Sequence, residues 1–184
     1  MPEPTRRERA IAVARELADD GGWDAIAMRA VAERSGSALA TLYREFPSKT
    51  HLVLAMADSE LSQVRGASPA AVQRLGSVPL VAQLLETLTL AALERPRYTA
   101  AVLHAVLTGG SEVAEDVNLL RTRLAELLTS CLEQPRPQDV PRLDLLVDVW
   151  FAELLATVHD RQTPEGCTKL LASAAGLVLA DHAP

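Results

Sequence analysis

Aromatic side chains make up only 3% of this 184-residue chain, cysteine and lysine occur twice each, and strand-forming residues are not arranged in alternating runs. The missing alternation argues against a half-buried β-sheet. The two thiols, Cys131 and Cys167, cannot make a metal site, and each sits inside an apolar helical pattern. Both are therefore expected to be small core residues rather than partners in a disulfide. The histidines at 51, 104, 159 and 182 are scattered through different blocks, so no metal site is expected. No basic-then-apolar signal segment is present, and the longest nearly uncharged run, residues 170–180, is too short for a bilayer. The expectation is a cytoplasmic protein with no membrane contact. The chain also lacks convergent Ser/His/Asp sets, paired carboxylates on one face and Gly-rich phosphate loops. Neither an enzyme nor a cofactor is expected.

What is present is apolar and helical. Alanine and leucine dominate the 48% apolar content, and the apolar residues recur at spacings of three and four. Thr5-Arg6-Arg7-Glu8 fits a capping box and starts the first helix at Arg6. Ile11, Ala14, Leu17 and Ala18 form its inner face, Asp19 to Gly22 end it, and Trp23 is expected to pack over the core that follows. Further helical blocks read as 79–94, 97–108, 111–133, 142–159 and from 163 to the end, with Pro135, Pro137 and Pro141 marking a loop. The fold class is all-α, with about nine helices.

The organising stretch is Met28 to Lys49. Met28, Val31, Ala32 and Ser35 give a short helix one buryable face, and Gly36 can end it in a left-handed conformation. Leu39, Leu42, Tyr43 and Phe46 give a second short helix, with Leu42 and Phe46 as its inward members. Pro47 stops it, and Ser48 offers an N-cap for a helix running to about Arg65. Two short helices around such a turn form a helix-turn-helix, whose second helix can enter a DNA major groove.

Net charge runs against a nucleic-acid binder at first sight. The chain carries a formal −6, but residues 1–51 hold eight basic and eight acidic side chains, and the rest of the chain holds the excess acid. The positive charge of the first segment is then available only as a local patch: Arg6, Arg7 and Arg9 in the first helix, Arg29, Arg44 and Lys49 around the turn. Strong salt sensitivity is expected of such a patch.

The segment from Ala14 to Leu52 resembles the DNA-binding domain of the TetR family of bacterial transcriptional regulators. Gly22-Trp23, Val31-Ala32, Gly36, Thr41-Leu42-Tyr43, Phe46, Lys49 and Leu52 carry the likeness. It implies DNA contacts by Arg29, Leu39, Ala40, Thr41, Tyr43, Arg44 and Lys49. Tyr43 and Lys49 would hold phosphates; Arg29 would read a base edge, with Arg44 sharing the readout, and Leu39, Ala40 and Thr41 would offer apolar contacts to thymine methyls. The chain departs from the family at Ala27, Ser37 and Ala38, where capping or apolar residues are common. The resemblance also implies an N-terminal helix-turn-helix domain (1–51), a ligand-binding and dimerisation domain (52–184), and a boundary inside the fourth helix.

For a ligand, the middle helices offer Leu84, Leu88, Leu103, Leu107, Leu120, Leu124, Trp150 and Phe151 as apolar walls, with Tyr98 and His104 as orienting polar groups. So leucine-rich a lining suits an aliphatic or alicyclic molecule. The stretch Thr41 to Leu52 is also similar to regulators of steroid and fatty-acyl catabolism. The last two helices are apolar on more than one side, and Leu146, Leu154, Leu171, Ala175 and Leu179 are the expected dimer contacts. The reading is a repressor: a homodimer on a palindromic duplex operator, released by a small hydrophobic effector. Two rivals stand beside it, a helical enzyme and a protein that kept the fold for ligand binding or interaction while DNA binding weakened or was lost.

Overall fold

The structure, a computed structural model, describes residues 3–182. Ten α-helices and two short 3-10 turns occupy these residues, and no strand occurs among them. The helices are α1 Arg6–Ala25, α2 Met28–Ser35, α3 Leu39–Glu45, α4 Lys49–Leu61, α5 Pro69–Leu75, α6 Ser77–Leu93, α7 Pro96–Thr108, α8 Ala114–Thr129, α9 Asp139–Val158 and α10 Pro164–Val178.

The chain groups into two compact units. The first ends at Leu61 and adds Arg95–Leu120, while the second takes Ser62–Glu94 and continues from Arg121. The functional division expected at residues 51/52 is therefore not the packing division: α4 belongs wholly to the first unit, and α7 joins it there. In that unit α1 packs on α2, α4 and α7, and α4 packs on α7. Ala14, Val31, Leu52, Val53, Met56, Ala101 and Ala105 are fully buried where these helices meet. Three alanines in that set let the helix axes approach closely. A polar cluster closes the same contact. Arg95 grips the Asp19 carboxylate with two hydrogen bonds of 2.8 and 2.7 Å and reaches Glu60 at 2.6 Å. Arg15 meets the same Glu60 oxygen at 2.7 Å. The cluster thus ties α1, α4 and the start of α7 together.

In the second unit α6 packs on α5, α9 and α10, and α9 packs on α10. Leu85, Leu143, Leu146 and Leu171 fill its interior. Trp150 donates through Nε1 to the Thr89 hydroxyl at 3.0 Å, and Thr89 donates onward to the Leu85 carbonyl at 2.7 Å, so this buried indole N–H is satisfied. Cys131 and Cys167 are both buried and unbridged, with their thiols pushed up by burial.

Several element boundaries differ from the sequence expectation: α1 continues to Ala25 across a non-helical Gly22, and α6 begins at Ser77 rather than at 79. The tenth helix is α5, which the sequence announces by Ser68 capping Ala71 N–H at 3.3 Å with Pro69 in the first turn. α4 stops at Leu61 rather than near Arg65; beyond it Ser62, Gln63 and Arg65 are exposed and only Val64 is half-buried. α8 begins at Ala114, after a 3-10 turn over Ser111–Val113, and ends at Thr129. α9 begins at Asp139, with Pro141 inside its first turn. The first four N–H groups of a helix have no helical partner, so a proline there removes nothing.

Candidate nucleic-acid interface

The turn between α2 and α3 has the geometry its glycine predicts. Gly36 adopts φ 67° and ψ 30°. Its N–H bonds to the Glu33 carbonyl at 3.3 Å, and Ser37 N–H returns to the Ala32 carbonyl at 2.9 Å. These two bonds make a Schellman closure, which fixes the direction in which the chain leaves α2. α3 then docks by its inner face: Leu42 and Phe46 are each 2% exposed. Its outer face carries Ala40, Tyr43 and Arg44, all exposed, with Tyr43 at 46%.

The helix N-termini on this face are bare. Ala27 precedes α2 and Ala38 precedes α3, both in extended backbone and both without a side-chain cap. Ala38→Ser supplies the missing acceptor in an already suitable backbone conformation. It is expected to raise the unfolding free energy by about 1 kcal/mol, read as a higher urea midpoint at unchanged slope.

The arginines sort into two groups. Arg9 is committed within the protein, donating to the Ser35 carbonyl at 3.3 Å and the Pro4 carbonyl at 2.6 Å. Arg34 pairs with Glu16 at 2.5 Å, and the Arg7 guanidinium lies 4.9 Å from the Phe46 ring centroid. Arg29 and Arg44 are exposed and have no ion-pair partner among the described residues. These two cations lie beside the turn although the charges of residues 1–51 sum to zero.

Of the seven expected DNA contacts, Arg29, Ala40, Tyr43 and Arg44 are exposed and Thr41 half-buried. Leu39 is half-buried and packs against the core of the unit. Lys49 opens α4, and its ammonium lies 4.1 Å from the Trp23 ring centroid. Partial burial lowers its pKa, and Asp24 nearby opposes that.

The family model described as "Bacterial regulatory proteins, tetR family" matches residues 10–56. The HTH-type transcriptional repressor KstR of Mycobacterium tuberculosis is 31% identical over 186 residues, covering 96% of this chain and 82% of that protein. The chain belongs to the TetR family. Its helix-turn-helix is that of a DNA-binding transcriptional regulator. A TetR transcriptional regulator from Rhodococcus sp. RHA1 superposes with a TM-score of 0.86 at 25% identity, covering 97% of each chain. The regulator FadR from Bacillus subtilis, solved in complex with stearoyl-CoA, shares the fold at a TM-score of 0.63 and 14% identity, covering 94% of this chain and 97% of that one.

The other expected site residues are placed less simply. Of the ten ligand residues, Leu84, Leu88, Leu124, Trp150 and Phe151 belong to the second unit and Tyr98, Leu103, His104, Leu107 and Leu120 to the first. His104 is exposed and stacks on Trp23, ring centroids 4.3 Å apart. Tyr98 lies under the Arg95 guanidinium, 4.1 Å from its ring centroid, and burial with the neighbouring Glu60 carboxylate pushes its phenol pKa up. Both rings therefore have partners within the first unit, while the Tyr98 hydroxyl is buried without a hydrogen-bond partner among the described residues. Leu107 is 60% exposed. Leu103, Leu120, Leu124 and Trp150 are buried, and Leu84, Leu88 and Phe151 half-buried.

The expected dimer contacts need correction. Leu146, Leu154, Leu171, Ala175 and Leu179 are all buried within the protomer, none more than 3% exposed, because they are the inward stripe of α9 and α10. The apolar residues left outside are Val140 and Leu145 on α9 and Leu170 and Leu177 on α10. The contacts of Trp23 with Lys49 and His104, and the Arg95 cluster, have no local sequence signal. Their partners lie 26 to 81 residues away in the chain.

Proposed function

We propose that the chain is a ligand-responsive repressor that binds a palindromic operator as a homodimer and leaves it when a small hydrophobic molecule binds. The observation that carries the DNA half is the outer surface of the helix-turn-helix. It presents Ala40, Tyr43 and Arg44 on α3 and Arg29 on α2, while Leu42 and Phe46 lock the other side of α3 into the core. Arginine can grip guanine O6 and N7 with two bonds, and the small Ala40 lets the α3 backbone approach a groove. A two-fold dimer would set two such helices about 34–36 Å apart. The repressor character is that of the KstR relative.

The effector reading is supported by the many buried leucines of the second unit, Leu85, Leu124, Leu143, Leu146 and Leu171 among them, and by the buried Trp150. The same fold holds stearoyl-CoA in the Bacillus protein. An aliphatic or alicyclic effector would act only through its different affinities for the DNA-binding and released conformations.

The test is anisotropy of labelled genomic fragments across a salt series. Arg29→Ala and Arg44→Ala are each expected to weaken the preferred fragment by about 1–3 kcal/mol and to relax preference at one base position. Absence of any preferred fragment for the unaltered protein sinks the reading. A second reading, a family member whose DNA binding has weakened, is favoured by the bare N-termini at Ala27 and Ala38. It predicts an affinity for duplex with little salt dependence.

A further inference from the structure

Lys49 stands where a lysine is least favourable for the helix it opens. It is the first residue of α4, at the positive end of the helix dipole. Its ammonium is also partly desolvated, and its pKa is lowered as a result. Two neighbours offset these costs: the Trp23 ring, 4.1 Å from the ammonium, and the Asp24 carboxylate. The indole itself has a second partner, since His104 of α7 lies 4.3 Å away, centroid to centroid, with the rings tilted by 43°. All three side chains belong to the first unit and come from three different helices. A cation and a helix N-terminus together form a site that an anion such as a backbone phosphate relieves.

We propose that Trp23 is the positioning residue for a DNA-phosphate contact made by Lys49, and that His104 sets the indole, so that α7 governs where the Lys49 ammonium stands. The inference rests on the DNA-binding reading above. The tryptophan touches no phosphate. Its aromatic face holds the flexible four-carbon stem and its charge at the mouth of α4, which removes the ordering cost that a free lysine would meet on binding. A displacement of α7 would move His104, then the ring, then the charge.

The experiment is a double-mutant cycle on full-length protein, read as duplex affinity against salt concentration. Lys49→Gln is expected to weaken binding to all sequences alike and to reduce the slope of log affinity against log salt by about 1. Trp23→Leu is expected to reproduce most of both changes, roughly a threefold to tenfold loss, and Trp23→Leu in the Lys49→Gln background to add none. Trp23→Phe, which keeps a ring face, should recover part of the affinity. His104→Ala changes an exposed residue and gives a folded test of the α7 arm. It should cost about threefold in the unaltered background and nothing beside Lys49→Gln. Losses that simply add, or a Trp23→Leu protein with an unchanged salt slope, overturn the inference while leaving DNA binding intact. A His104→Ala protein that binds as before overturns the α7 arm. Should Trp23→Leu fail to fold, Trp23→Phe and His104→Ala decide alone. Unaltered protein with no salt-dependent duplex affinity removes the parent reading, and this inference with it.

Discussion

Phe46→Ala is expected to lower the unfolding free energy by about 3–5 kcal/mol and to abolish sequence-preferring DNA binding even where the protein stays folded. The ring is 2% exposed and is among the largest fully enclosed side chains. It terminates α3, its N–H bonding to the Leu42 carbonyl at 2.8 Å, just before Pro47 turns the chain toward α4. Removing it opens a cavity under the end of the recognition helix and strips the Arg7 guanidinium of its aromatic platform. Natural domains have only about 5–15 kcal/mol in hand, so the predicted loss takes a large share. Arg7→Ala separates the two contributions: an exposed cation over a ring is worth about 0.5–1 kcal/mol. Urea denaturation of both variants checks the pair. A Phe46→Ala loss below about 1 kcal/mol would mean that α3 is held by something other than this anchor.

The helix-turn-helix was legible because its physics is local. Spacings of three and four name the buried faces of α2 and α3, and Gly36 and Pro47 name their ends. Each of these is decided within a few residues. Boundaries that depend on what a helix buries were less legible. α4 stops where Ser62 and Gln63 would face solvent, and α9 accepts Pro141 because its first turn needs no N–H at that position. α5 was signalled by Ser68-Pro69 but is short enough to read as loop. Site residues joined only in three dimensions were not legible. Arg95 finds Asp19 at a separation of 76 residues and Glu60 at 35, and nothing in the run Glu94-Arg95-Pro96 hints at either. Trp23 reads correctly as a residue packed on the three-helix core, yet its contacts with Lys49 and His104 had to be seen. On α9 and α10 the apolar residues surround much of each helix, so periodicity could not say which stripe faces inward. The stripe expected to meet a partner is the one buried within the protomer.

The stripe left exposed decides the second large prediction. Leu177 is 81% exposed and Leu170, two turns earlier on the same face of α10, is 40% exposed. Leu145 on α9, a helix that packs on α10, is 55% exposed. If these residues form the two-fold contact, each substitution enters the interface twice. Leu177→Glu then buries two unpaired carboxylates against the partner. The expected result is a dimer dissociation constant raised at least about a hundredfold, equivalent to about 3 kcal/mol, with operator affinity falling too because the two half-sites lose their linkage. Sedimentation across a concentration series measures it, and the far-ultraviolet spectrum of the protomer should not change, since the side chain touches little of its own chain. Leu171→Ala supplies the contrast. Leu171 is 1% exposed and lies in the interior, so its truncation is expected to cost about 2–5 kcal/mol of protomer stability without acting first on dimerisation. A Leu177→Glu protein that still sediments as a tight dimer would place the contact on another face. Dissociation by Leu171→Ala at full protomer stability would instead restore the buried stripe as the partner surface.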